Sequence, residues 1–506
     1  MAETIRDRRS EMGERYATLQ SPVNQSPVNQ SPLSARYDLL RVSLLRRLLV
    51  SRWPQFIARA LAFAGFLLAI AAGLAGTPVG NRNFAIIFVW IAWWAVLILV
   101  AVPLAGRAWC SVCPIPMPGE WLQQGAIMAP GEKTRGLSLG SWLRRRRWPR
   151  RLNNIWLQNA GFLLLALFSA VVLTDPRVTA LVLGAFLLLA TATALVYERR
   201  AFCRYLCPVG GFIGLYAQAA PLEVRVKDTA VCADHRQKTC YTGNASGKHR
   251  GYGCPWGVFP GGLYKNTHCG LCLECLRTCP RDNIAFQIRP AGADLTVTRG
   301  RRLDEAYKAF IMLGSAAVYS AVMLGPWGAL KDVAYQVGSL AWLGYALAFL
   351  LATLVLLPGL FWLVVRAGGR LAQGQQRRRE QSPKQAFTAF AYSLVPLGLA
   401  AWVAFSLGFV FANLSYIAPV LSDPFGWGWN VVGTAGLAWT PLFTGITPAL
   451  QTLALVGGLW WSVRLARRMA ASGGWAENSG APVRQALPVA LFNFLMTVGL
   501  LWLLVG

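Results

Sequence analysis

The run FAIIFVWIAWWAVLILVAVPLAGRAWCSVCP, Phe84–Pro114, decides how the chain is read. Residues 84–105 carry no charge, and about 20 apolar residues cross a bilayer as a helix. The run closes on Arg107-Ala-Trp-Cys110-Ser-Val-Cys113-Pro114. A later apolar run closes the same way, on Arg200-Ala-Phe-Cys203-Arg-Tyr-Leu-Cys207-Pro208. The likeness continues to Gln124 and Gln218, each 11 residues past its second cysteine. Residues three or four apart share a helix face, so each cysteine pair can chelate a metal or form a dithiol or disulfide. The proline that follows ends or kinks the helix and leaves the thiols near the membrane surface. Small apolar cysteines also pack well at helix ends, which would explain one pair. A repeated pair with the same leading arginine points instead to metal or redox chemistry, at two sites made unequal by C-x2-C and C-x3-C spacing.

Working outward, nine stretches are long and apolar enough to span: 55–76, 84–105, 154–174, 178–197, 306–325, 337–365, 387–411, 446–464 and 486–505. The first four form two hairpins, each delivering one cysteine pair. The chain is 55% hydrophobic and 14% charged, yet its net charge is +28. A soluble domain carries about a quarter charged residues, so a soluble globule is excluded. With the N-terminus inside and span ends counted, 46 of the 49 Lys and Arg fall on the inner side. The exceptions are Arg82, Arg177 and Lys331. This one-sidedness predicts a cytoplasmic N-terminus in the inner membrane and a C-terminus outside.

Residues 1–40 contain the tandem SPVNQSPVNQSP (Ser21–Pro32) and predict a disordered tail. The acids Glu3, Asp7, Glu11 and Glu14 argue against a cleaved signal peptide. The cluster Arg144–Arg147 with Arg150 and Arg151 precedes a span and reads as a topology anchor or acidic-lipid contact rather than a nucleic-acid patch. The expected division is a membrane core over 41–221, a hydrophilic insert over 222–302 and a five-span region over 303–506.

All eleven cysteines fall in inside segments, which suits a reducing compartment and free thiols. The insert carries Cys269-Gly-Leu-Cys272-Leu-Glu-Cys275-Leu-Arg-Thr-Cys279-Pro280, a C-x2-C-x2-C-x3-C-P run. Three thiolates on so tight a loop wrap one face of a 4Fe-4S cluster, while the fourth ligates a neighbouring cluster in two-cluster ferredoxins. A structural zinc would use two separated pairs. By pseudo-symmetry Cys254 completes a first cluster with Cys269, Cys272 and Cys275. Cys279 joins Cys232 and Cys240 on a second, which is one cysteine short. His235 stands where a ferredoxin would place that cysteine, and imidazole can replace thiolate on iron. A three-iron cluster, or Asp234 or water as the ligand, are the rival readings. The four remaining thiols, Cys110, Cys113, Cys203 and Cys207, form a redox dithiol or a further metal site, and sequence does not say whether they converge.

Several classes are excluded. His235, His249 and His268 all lie in the insert, so no span offers a histidine pair for haem. No Walker loop precedes a helix, no dinucleotide turn follows a strand, and no nucleic-acid module is present. Few ionisable groups sit mid-span, which disfavours a pump or ion transporter. The outside segment 412–445 is rich in Trp and Gly, including Trp427, Trp429 and Trp439, and reads as an interfacial belt.

The Arg-x-aromatic-Cys-x3-Cys-Pro motif after alternate spans, followed by an inside ferredoxin-like insert, resembles the membrane-bound polyferredoxins. These include the NapH and NosR types and the copper-handling oxidase-assembly ferredoxins. The likeness covers roughly 55–290, is closest at Cys203–Pro208 and Cys269–Pro280, and is looser at Cys110/Cys113. It implies an all-α polytopic membrane protein of about nine helices with a cytoplasmic α+β two-cluster insert. The implied function is electron transfer between a quinol pool or cytosolic donor and a respiratory or maturation partner, with no separate catalytic residue. The alternative is an assembly factor that reduces copper or another metal at the paired cysteines.

Overall fold

The computed structural model describes residues 36–124, 146–244, 247–325, 327–372, 382–472 and 480–506. The repeat at Ser21–Pro32 and the arginines at 144 and 145 lie outside them.

Among the described residues, seven helices are long and apolar enough to cross a membrane. With two companions they are numbered along the chain: α1 Trp53–Ala75, α2 Phe84–Val112, α3 Trp156–Leu167, α4 Pro176–Val196, α5 Leu303–Leu324, α6 Leu340–Leu371, α7 Pro383–Ser422, α8 Thr447–Ala471 and α9 Ala481–Leu504. The companions are α3 and α8, which correspond to the expected spans 154–174 and 446–464. Helix α3 has only 12 residues before the backbone kinks at Phe168 and a short helix, Ser169–Val172, takes over. Helix α8 has the length, but Arg464, Arg467 and Arg468 and the buried polar Gln451 and Ser462 lower its apolarity.

The two hairpins, α1–α2 and α3–α4, pack on one another. Helix α1 crosses α4 at Gly73, where a Cβ would lie 2.5 Å from the Pro176 carbonyl and 2.6 Å from Ala180 Cβ. Within α2 the backbone turns at Gly106, whose φ of +56° sets it against Ala217. Helix α7 is the centre of the bundle: 72% of its apolar window is buried, against 22% for α1. Trp402 of α7, fully buried, donates to the Met312 carbonyl of α5 and meets Phe162, Phe212, Tyr319 and Phe405 edge-on.

Strands β2 (Leu222–Val226) and β3 (Ile284–Ile288) pair antiparallel, Val224 opposite Phe286, and so close the insert at its two ends. Strand β1, Tyr37–Asp38, takes the other edge of β3. The final residues of the expected tail are therefore ordered, and Leu40 is buried. Beneath the sheet Arg289 pairs with Glu223 and Asp294, which also hold Arg225, all four buried. Such a network is costly to desolvate unless fully paired, as it is here. It fixes the ends of the cysteine-bearing loops. The insert is tied to the bundle by Lys265–Glu305, by Arg52–Glu274, and by Arg277 donating to the carbonyls of Leu49, Val50 and Ser51.

Candidate functional site

The cysteines of the two hairpins meet. Cys110, Cys203 and Cys207 are buried in one core cluster, and the charges of Cys110, Cys113 and Cys207 all act on Cys203. Burial disfavours the thiolate, lifting Cys113 to about 12, Cys207 to about 11 and Cys203 above its ordinary value. Cys207 caps the helix Pro208–Tyr216, its sulfur accepting from the Gly210 N–H at 3.2 Å.

Around these thiols the repeat is interlocked. Arg200 donates to the carbonyl of Cys110 at 2.6 Å, and Arg107 donates to the carbonyl of Cys203 at 3.5 Å and to that of Gly210 at 2.8 Å. Arg107 also donates to the Thr267 carbonyl of the insert. Glu120 accepts from both Arg200 and Arg59. Burial alone would raise its carboxyl, but the two guanidinium groups outweigh this and hold it at about 2. Gln158 adds a hydrogen bond to the Cys203 carbonyl at 3.1 Å.

Trp256, 2% exposed, is the insert's residue at the junction with the hairpins. Arg107 stands 4.4 Å and Arg200 5.8 Å from its ring centroid, within the range of cation–π attraction. Beyond it Cys254 and Cys272 pack against the same core. Charge on Cys272 acts on Arg200, and Arg107 acts on both Cys207 and Cys269. A polar cleft of about 70 Å³ is lined by Arg59, Glu120 and Arg200 from the hairpin side and by Pro255 and Cys272 from the insert.

In the insert, Cys254, Cys269, Cys272 and Cys275 are mutual electrostatic neighbours. Leu271 and Leu273 have φ of +48° and +59°, a left-handed conformation that costs a leucine about 1–2 kcal/mol. The twist turns the N–H of Leu271 toward the Cys269 sulfur and that of Glu274 toward Cys272. A backbone N–H aimed at a sulfur favours its anionic form. Burial still raises Cys269 to about 11 and Cys272 to about 12. A cradle that favours negative sulfur while burial penalises it fits a bound metal cluster, which would hold the thiols as thiolates.

A third group joins Cys232, Cys240 and Cys279. Asn283 donates to the Cys232 sulfur at 3.2 Å, and burial pushes Cys240 up to about 12. His235 ends the helix Thr229–Asp234, partly exposed, and its charged neighbours are Arg281, Asp234 and Lys238 rather than the three thiols. Burial and the two cations lower its pKa. His268 lines a small cavity with Arg107, Gln158 and Gly211.

Among the described residues no three His, Cys, Asp or Glu side chains close around a single metal ion.

Two segments match a family model. Residues 86–151 and 179–225 match Fer4_5, a 4Fe-4S binding domain. This supports an iron–sulfur, ferredoxin-type protein whose apolar helices fit a membrane. The match covers about a fifth of the chain and falls on the two hairpins, each part containing one cysteine pair. The C-x2-C-x2-C-x3-C-P run lies outside it. No curated protein and no solved structure shows significant similarity to the chain.

Sequence reasoning had noted Arg107 and Arg200 only as part of a motif. Their identical offset from the first cysteine of each copy was the signal for a shared structural role. Trp256 carried no such signal, because the loop that brings it between two arginines is irregular.

Proposed function

We propose that this chain is an integral membrane iron–sulfur protein that relays electrons between a quinol pool or a cytosolic donor and a respiratory or maturation partner. The observation that carries the reading is the junction at Trp256. There the hairpins that match a 4Fe-4S binding domain meet the insert that carries the ferredoxin-like cysteine run.

In this reading Cys254, Cys269, Cys272 and Cys275 hold one cluster, and Cys232, Cys240 and Cys279 hold a second, with His235 as the candidate fourth ligand. Bound clusters supply one-electron chemistry. The residues of the chain do the rest. The backbone N–H groups of Leu271 and Glu274 favour anionic sulfur at Cys269 and Cys272, Asn283 donates to Cys232, and Arg200 faces Cys272. Cys110, Cys113, Cys203 and Cys207 form the redox or metal centre at the membrane surface. The one-sided distribution of Lys and Arg supports a cytoplasmic N-terminus and insert at the inner membrane, with the C-terminus outside.

Anaerobic EPR of the purified full-length protein tests this. Dithionite should elicit signals of reduced 4Fe-4S clusters, which Cys272→Ala/Cys275→Ala diminishes. A wild-type protein without iron overturns it. Stoichiometric copper lost in Cys203→Ser/Cys207→Ser, with cluster signals unchanged, would favour the metal-reducing alternative.

A further inference from the structure

At the C-terminal end of α8, Trp460, Val463, Arg464, Arg467 and Arg468 line an open groove of about 770 Å³. This is the end that meets the insert, where a Cβ on Gly292 would lie 2.7 Å from the Trp461 ring. The groove continues a stripe along the helix. Leu453, Val456, Trp460, Arg464 and Arg467 follow at spacings of three and four, and all five are exposed. The packed side of the helix is elsewhere: a Cβ on Gly458 would come within 2.4 Å of Ala400 in α7. At Gly457, one position earlier, a Cβ would meet nothing within 4 Å.

Length and charge both suit a lipid. Leu453 and Arg464 are eleven residues apart. That is about 16 Å of helix, close to half of the roughly 30 Å hydrocarbon core. Arg464 stands 5.2 Å from the Trp460 ring centroid, which holds its guanidinium at the end of the apolar stripe. Among the described residues none of Arg464, Arg467 and Arg468 pairs with a carboxylate. Water alone satisfies exposed arginines, and topology alone gathers them on one side. Neither accounts for an apolar stripe one leaflet long that runs past an open glycine into three guanidinium groups. The guanidinium fork matches phosphate oxygens, and basic pockets at membrane helix ends take acidic headgroups.

We infer that this face of α8 binds one anionic phospholipid, its phosphate among Arg464, Arg467 and Arg468 and an acyl chain along Trp460, Val456 and Leu453. The bound lipid lets α8 sit beside the more apolar spans despite its three arginines. The inference rests on the membrane reading of the helices and not on the clusters. Helix α6 offers an internal comparison. Its Trp362, Arg366 and Arg370 repeat the spacing of Trp460, Arg464 and Arg468, and Arg366 stands 4.5 Å from the Trp362 centroid. Gly369 stands where α8 has Arg467, so the third guanidinium is missing there.

The test titrates delipidated full-length protein in detergent with dioleoyl phosphatidylglycerol, dioleoyl phosphatidylcholine or inorganic phosphate, and native mass spectrometry counts what is bound. Wild type should hold one phosphatidylglycerol tightly and phosphatidylcholine weakly. Arg464→Gln/Arg467→Gln should weaken that binding about thirtyfold, at about fivefold per arginine beside an anionic headgroup. Arg366→Gln/Arg370→Gln removes the same charge from α6 and should leave the tight binding in place. Gly457→Leu keeps every charge, adds a good helix former where nothing stands, and should lose the tight binding by filling the stripe. Equal weakening by the two arginine pairs, or phosphatidylcholine held as tightly, overturns the site. So does free phosphate bound as tightly as the lipid, or unchanged binding in Gly457→Leu. None of these results touches the iron signals, so the electron-transfer reading stands or falls on its own.

Discussion

Arg107 and Arg200 are exchanged across the internal repeat: each donates to the carbonyl of the cysteine that lies three residues after the other. Neither hairpin completes its own cysteine turn. The two copies are locked as a pair, and the insert is locked to them where Arg107 reaches Thr267 and both arginines face Trp256.

Removing Arg200 leaves the Cys110 carbonyl without its donor and Glu120 with Arg59 alone. Breaking a buried ion pair on one side costs about 3–5 kcal/mol. Arg200→Ala should therefore lower the unfolding free energy by that order in detergent, and Arg200→Lys should recover only part, since one ammonium cannot reproduce three guanidinium contacts. Denaturant unfolding followed by circular dichroism measures both.

Glu120 sets an acid limit. Its carboxyl is held at about 2 against an ordinary 4.5, so its contribution is complete above pH 4.5 and lost as pH falls toward 2. The melting-temperature difference between wild type and Glu120→Gln should be constant from pH 7 to 5 and shrink below about 4.5. Acid loss of clusters affects both proteins alike, so the difference isolates the carboxylate. A gap that widens on acidification contradicts the assignment.

Asn283 donates to the Cys232 sulfur, and hydrogen bonds to cluster sulfurs raise reduction potentials. Asn283→Leu should lower the potential of the cluster proposed on Cys232, Cys240 and Cys279 and leave the other potentials in place. An EPR-monitored redox titration reads the shift.

The close crossing of α1 and α4 tolerates no side chain at Gly73. Gly73→Leu should destabilise the hairpin pair by about 1–3 kcal/mol, the usual cost of overpacking, if the helices can shift at all. The same change at Gly184, where a Cβ meets nothing within 4 Å, should be close to neutral. Thermal unfolding of the two variants side by side makes the comparison.

Much of this was legible in the chain. Charge-free runs marked the long helices, and the paired cysteines closing each hairpin announced a repeat. What was not legible depended on three dimensions. The convergence of Cys110, Cys113, Cys203 and Cys207 needs two hairpins folded face to face, which no spacing encodes. Helix α3 read as a full span because Phe168, where it kinks, is as apolar as its neighbours. The burial of Lys308 was not legible, since sequence cannot show that α5 is covered there by Phe162 and Gly211. The tail's last residues read as disordered because a two-residue strand such as Tyr37–Asp38 carries no periodicity of its own.

The central claim, that the gathered cysteines serve iron–sulfur electron transfer, is tested most directly by one measurement. This is an anaerobic EPR redox titration of the full-length protein reconstituted in membranes. The account predicts reversible one-electron signals of reduced 4Fe-4S clusters. No cluster signal at any potential, in protein whose helices remain folded, would contradict it.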